Sequence, residues 1–112
     1  MFFEEPKNDK RISWTRHAKE KMKFYQLSER RLKKVLRNPD REEKGVAFQT
    51  TAVMQRAGSK KHPYEIWLMY QLINSKQKGK KIKIISAWRY PGVSPIGKPP
   101  IPQDILEDLK SL

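Results

Sequence analysis

The stretch YEIWLMYQLI, residues 64–73, does most to limit what this chain can fold into, because it is apolar on both faces of an extended backbone. A strand of that kind needs cover on both sides, which places it at the centre of a layered fold. GVAFQ (45–49), TTAVMQRA (50–57) and KIKIISAWRY (81–90) share its β-branched and aromatic character and read as further strands. The breaks GSKKHP and NSKQKGKK are polar and carry Gly or Pro, as turns do. Sequential strands with short connections predict an antiparallel meander.

Ahead of residue 44 the apolar period is helical. Trp14, Ala18, Met22 and Tyr25 recur at i, i+4, i+8 and i+11, so a helix is expected to end near Tyr25, with Thr15 or Ser13 as its N-cap. Ser28 then caps a second helix, ERRLKKVLRN, closed by Asn38-Pro39. Its Leu32, Val35 and Leu36 form the apolar side, and Arg30, Lys34 and Arg37 line another face. RISW reads as a short strand at the front. These helices cover one side of the sheet, and the tail is the candidate for the other. YPGVSPIGKPPIP (90–102) is too rich in Pro and Gly for regular structure, and it leads to a short helix, QDILEDLKSL, with Ile105, Leu109 and Leu112 on one side. This arm either folds back on its own sheet or reaches a second copy to make a homodimer. The expected architecture is one α+β domain over residues 1–112. Two N-terminal helices pack on a three- to four-stranded antiparallel sheet, followed by a short C-terminal helix. Residues 1–9 are a loose lead-in and 91–112 the arm and its helix.

The net charge of +13 on 112 residues points to a polyanionic partner, nucleic acid or an anionic membrane surface. The helices carry only core-sized apolar faces, which argues against the membrane. Without cysteine there are no disulfides, thiolate metal sites or cysteine nucleophiles. Two separated histidines without a carboxylate cluster give no metal site, and neither a glycine-rich phosphate loop nor a nucleophile elbow occurs, so no cofactor is expected. MFFEEPKNDK lacks the order of a secretion signal and no apolar run spans a bilayer, so the expected location is cytoplasmic.

What remains is cationic chemistry on RNA, or on DNA as a binding target. Metal-free RNA cleavage needs a group to take the 2′-hydroxyl proton, a group to protonate the leaving oxygen, and cations to stabilise the phosphorane. Arg89 and Tyr90, at the end of the last strand, are candidates for those roles, with Arg56 near another strand end and His17 on the first helix. Strict alternation puts Lys83, Ile85, Ala87 and Arg89 on one face of the last strand and Ile82, Ile84, Ser86 and Trp88 on the other. Lys21, Arg30, Lys34, Arg37 and Lys83 are the expected phosphate contacts. His62 reads as a turn residue, and Trp67 and Trp88 as core. His17 and Lys21 fall in or beside the apolar stripe of their helix. Either they line the rim of a cleft, with His17 as an orienting or proton-carrying group, or His17 bonds a backbone carbonyl while Lys21 snorkels to water.

HAKEKM…LS…VLRNP resembles the opening of a family of small, largely uncharacterised domains patterned His-Ala-x-x-Arg-Met-x-x-Arg-Gly-Ile-Ser. KIKIISAWRY is similar to the last strand of BrnT-like toxins, Arg-Ile-Ile-Ser-Ala-Arg. Both groups look related to the RelE/ParE-like toxin superfamily, and the resemblance covers roughly residues 12–90. It implies two helices followed by an antiparallel sheet, and an endoribonuclease of a toxin-antitoxin system held inactive by a small acidic antitoxin. It also implies catalysis by basic residues of the sheet and by a Tyr or Arg near the last strand, which here are Arg89 and Tyr90, with Arg56 as a looser match. The chain departs from the pattern at Lys21 and Tyr25, where arginines stand, at Gln26, where glycine stands, and at Trp88, inserted before Arg89. Three classes of function follow: an RNA-cleaving toxin, a non-catalytic basic nucleic-acid-binding domain, and a protein-interaction module for an acidic partner.

Overall fold

The computed structural model describes residues 3–75 and 79–110. Leu112 and the centre of the NSKQKGKK turn lie outside them. In chain order the elements are β1 (Ile12–Trp14), α1 (Arg16–Tyr25), α2 (Glu29–Arg37), β2 (Arg41–Lys44), β3 (Thr50–Gly58), β4 (Pro63–Ser75), β5 (Gly79–Pro91) and α3 (Gln103–Lys110). The fold is α+β, and no helix among the described residues is long and apolar enough to cross a membrane.

The expected three- to four-stranded antiparallel sheet is corrected to a five-stranded mixed sheet, ordered β1-β5-β4-β3-β2. β1 lies parallel to β5, pairing Ile12, Ser13 and Trp14 with Ile82, Lys83 and Ile84. The cause is the outer edge of β5, whose backbone groups need partners. β1 satisfies the first part of that edge, and α1 follows it along the remainder in the same direction. The second correction concerns GVAFQ, which is a loop, while the edge strand is the charged REEK. Gly45 donates its N–H to Thr50 O at 2.9 Å, and a Cβ at Gly45 would collide with the Thr50 hydroxyl. Gln49 takes φ 55°, and Thr50 Oγ1 donates to Ala47 O at 2.7 Å. These contacts close a tight hairpin loop, and the edge strand beside it exposes Glu42 and Lys44, charges that discourage edge-to-edge association.

A β-bulge decides which way the last strand's side chains point. Met69 pairs with Ser86 but Tyr70 pairs with Ile84, so Ile85 is an extra residue on β5. Strict alternation fails there. Ile84 and Ala87 both pack into the core under α1 and α2, whereas Ile85 and Trp88 join the core on the opposite face. The expected grouping of Lys83 and Ile85 with Ala87 and Arg89 is therefore split between the two faces. Thr15 braces the bulge: its hydroxyl donates to Ile85 O at 3.2 Å while accepting from Ala18 N–H at 3.0 Å as the N-cap of α1.

One core joins Trp14, Ala18, Met22, Leu32 and Val35 to Val53, Ile66 and Leu68. The other, centred on Trp67 and Trp88 stacked at 6.0 Å, is covered by the arm through Ile105. The arm thus folds back on its own sheet. Two polar clasps fasten it. At one, the buried Glu65 carboxylate accepts from Ser94 N (3.0 Å), Ser94 Oγ (2.6 Å) and Trp67 Nε1 (2.9 Å), with Arg41 Nη1 3.8 Å away. Arg41 also donates to the carbonyls of Ser94 and Pro95, both at 3.0 Å, and pairs with Glu43 at 2.9 Å. At the other clasp, Lys21 Nζ meets Asp104 at 2.7 Å and Asp108 at 3.1 Å, and Tyr25 OH donates to Asp104 at 3.1 Å.

Candidate nucleic-acid interface

A cleft of about 620 Å³ opens on the arm side of the sheet, between the start of α1, the 45–49 loop and α3. Its floor is Ile85, Thr50 and Gln71, and Leu106 and Leu109 of α3 form an apolar wall. Arg16, which also pairs with Glu20 at 3.5 Å on the exposed side of α1, supplies a cation with Lys83 and Lys110, from three different elements, and Phe48 and Val46 stand at the mouth. Phe48 is 82% exposed, the second most exposed large apolar side chain among the described residues. An aromatic ring in water beside converging cations suits a stacked base with phosphates on either side.

His17 lines this cleft but is itself buried. Its Nε2 shares a hydrogen bond with Ser86 Oγ at 2.9 Å, and its Nδ1 is 3.6 Å from Asp108. Burial lowers its pKa below 6.5, against the pull of Asp108, so the ring is neutral near pH 7. The connectivity Asp108–His17–Ser86 matches that of a serine-hydrolase triad. Ser86, however, has no exposed surface, so an acyl group has no room on its oxygen. Asp108 is shared with Lys21, which makes the arrangement a clasp.

The other expected residues are scattered. Lys21 is largely covered and held by two carboxylates. Its own burial opposes the charge, but the bonds to Asp104 and Asp108 raise its pKa. Burial, with the neighbouring Asp104 carboxylate, pushes the Tyr25 phenol up to about 12. Arg89 lies on the helix face: Nε donates to Tyr25 O at 2.7 Å and Nη2 to Gln26 O at 3.0 Å, capping the end of α1. Its guanidinium sits 5.2 Å from the Tyr64 ring. Tyr90 packs on the arm side, across Glu65 from the exposed Arg56 in the strand register. His17 and Arg89 stand at opposite ends of α1, so the four candidate catalytic groups do not converge. Arg30, Lys34 and Arg37 form an exposed stripe on α2, on the far side of the sheet from the cleft. Of the expected site residues, the cleft brings together His17 and Lys83.

Sequence reasoning missed Phe48, Arg16 and Lys110. The β-like composition of GVAFQ hides Phe48 as a loop residue, and the Gly at its start is the signal that could reveal it. A second cavity of about 640 Å³ beside the N-terminal lead-in carries Glu4, Glu5 and Glu29 against Lys7, Lys23 and Arg30, a balanced lining without cationic bias. Among the described residues no group of His, Cys, Asp or Glu is placed to hold a metal ion. No family model matches the chain, and no curated protein and no solved structure matches it significantly.

Proposed function

We propose that the protein binds single-stranded RNA, with one base stacked on Phe48 and the flanking phosphates held by Arg16, Lys83 and Lys110. The observation that carries this reading is the exposed Phe48 ring at the mouth of a cleft whose cations come from three elements. Charge distribution supports it. Four of the twelve carboxylates, Glu43, Glu65, Asp104 and Asp108, face Lys21 or Arg41 at the arm, which leaves the remaining surface strongly cationic. Phosphate contacts of this kind give affinity that falls steeply with salt.

A second reading is the metal-independent endoribonuclease that the toxin resemblance implies. The observation in its favour is the His17 imidazole on the cleft wall, kept neutral by burial; to take a 2′-hydroxyl proton its Nε2 would have to exchange its bond with Ser86 for the substrate. Gln26 adds to the resemblance: it stands where the pattern has glycine and adopts φ 56°, a left-handed conformation that favours glycine. An acidic antitoxin would compete with RNA for the same cations.

The test is fluorescence anisotropy of a labelled single-stranded RNA with purified protein in EDTA at several salt concentrations, with the same RNA run on a gel. Salt-sensitive binding of intact RNA is expected. Cleavage that disappears in His17→Gln would replace binding by catalysis, and absence of binding at low salt would remove the RNA reading.

A further inference from the structure

β4 and β5 outrun the rest of the sheet. The pairing of β3 with β4 ends at Thr50↔Gln71, and β1 reaches only as far as Ile82. Ile73↔Lys81, Asn74↔Lys80 and Ser75↔Gly79 therefore continue as a two-stranded ribbon beyond the body. Side chains alternate along it. Gln71 and Lys83 line the cleft, so Ile73 and Lys81, one step of two residues further out, share that face. Asn74 and Lys80 occupy the opposite one. The bulge at Ile85 sets this parity, and without it Lys83 and Lys81 would share the face of Arg89.

We infer that the cleft face of this ribbon extends the RNA site, with Lys83 and Lys81 forming a track for the phosphates that leave the cleft. The inference rests on the RNA-binding reading of the cleft. Lys83 and Lys81 are two residues apart, about 7 Å along the strand, and lie in line with Ile85 on the cleft floor. Ile73 is 37% exposed and flanks Lys81, but Leu72, 57% exposed, stands on the face of Lys80, so the line with Lys83 and the cleft, and not exposed apolar surface, singles out Lys81. The ligand class is thus an RNA strand several nucleotides long, entered by one base at Phe48 and followed outward along the ribbon.

The experiment compares a single-stranded RNA trinucleotide with an octanucleotide on the unmodified protein, Lys81→Glu and Lys80→Glu. The two variants change net charge equally, and both positions are on the ribbon, away from the cores. The octanucleotide is expected to bind the unmodified protein at least tenfold more tightly than the trinucleotide. Lys81→Glu is expected to lose most of that gain, while Lys80→Glu stays within about twofold and trinucleotide binding is alike in all three. Equal losses in both variants, or no gain with length, would overturn the track and leave the cleft reading standing. Failure of both RNAs to bind the unmodified protein would overturn the cleft reading and the track together.

Discussion

Lys83 and Arg89 are six residues apart on one strand, yet Lys83 lines the arm-side cleft while Arg89 holds the end of α1 on the helix face. The extra residue Ile85 accounts for the reversal. It separates two residues that the sequence pattern assigns to one surface: a cation that lines an open cleft, and a cation bonded to the end of a helix.

Arg89→Ala is expected to destabilise the protein by about 2 kcal/mol, since two helix-end carbonyls lose a charged donor. Arg89→Lys should recover little, because an ammonium cannot span both carbonyls as the guanidinium does. Urea unfolding measures the loss, and RNA affinity of the folded variant should be unchanged.

Glu65→Gln tests the clasp at Ser94. Burial alone would raise the pKa of this carboxyl, but hydrogen bonds from Ser94 and Trp67, with the Arg41 charge, hold it below 4.5. A folded value below the unfolded one gives stability that is present above pH 4.5 and lost as pH falls through the folded value. The substitution should cost about 3 kcal/mol at neutral pH and remove that part of the acid sensitivity.

His17 behaves in the opposite sense from a histidine that gains a partner. Its folded pKa is depressed by burial, so protonation favours the unfolded chain. Stability should rise with pH from the folded value up to about 6.5 and be complete above it. Denaturation midpoints followed from pH 5 to 8 should show this component, and His17→Gln should flatten it.

Gln26→Gly relieves a side chain from a left-handed backbone at φ 56°. Because Gln26 contributes its carbonyl and N–H to the helix end, both bonds survive the change. The relief, offset by the freer unfolded chain, should stabilise by about 0.5 kcal/mol, read as a higher melting temperature.

The legible parts of the fold were those with strong local signals. Thr15, Ser28 and Asn38-Pro39 mark the helix ends, and the two-sided apolar run at 64–73 places β4 inside the sheet. β1 was legible as a strand but not as the partner of β5, because three residues paired with a segment about 70 positions away leave no periodic trace. REEK carries no strand signal because Glu and Lys are poor strand formers, although charge suits an exposed edge. The site suffered more. Its geometry depends on one bulge residue and on a loop whose closure at Gly45 and Thr50 is tertiary. Lys21 looked like a phosphate ligand because Asp104 and Asp108, its partners, lie more than eighty residues away.

The most direct measurement is single-stranded RNA affinity, at fixed salt, of Phe48→Ala beside the triple variant Arg30→Ala/Lys34→Ala/Arg37→Ala. Phe48 is 82% exposed, so its truncation leaves the fold intact. Loss of a stacked base should weaken binding about tenfold in Phe48→Ala, with only a small change in the triple variant despite its three lost charges. Unchanged binding in Phe48→Ala together with a large loss in the triple variant would place RNA on α2 and contradict the cleft.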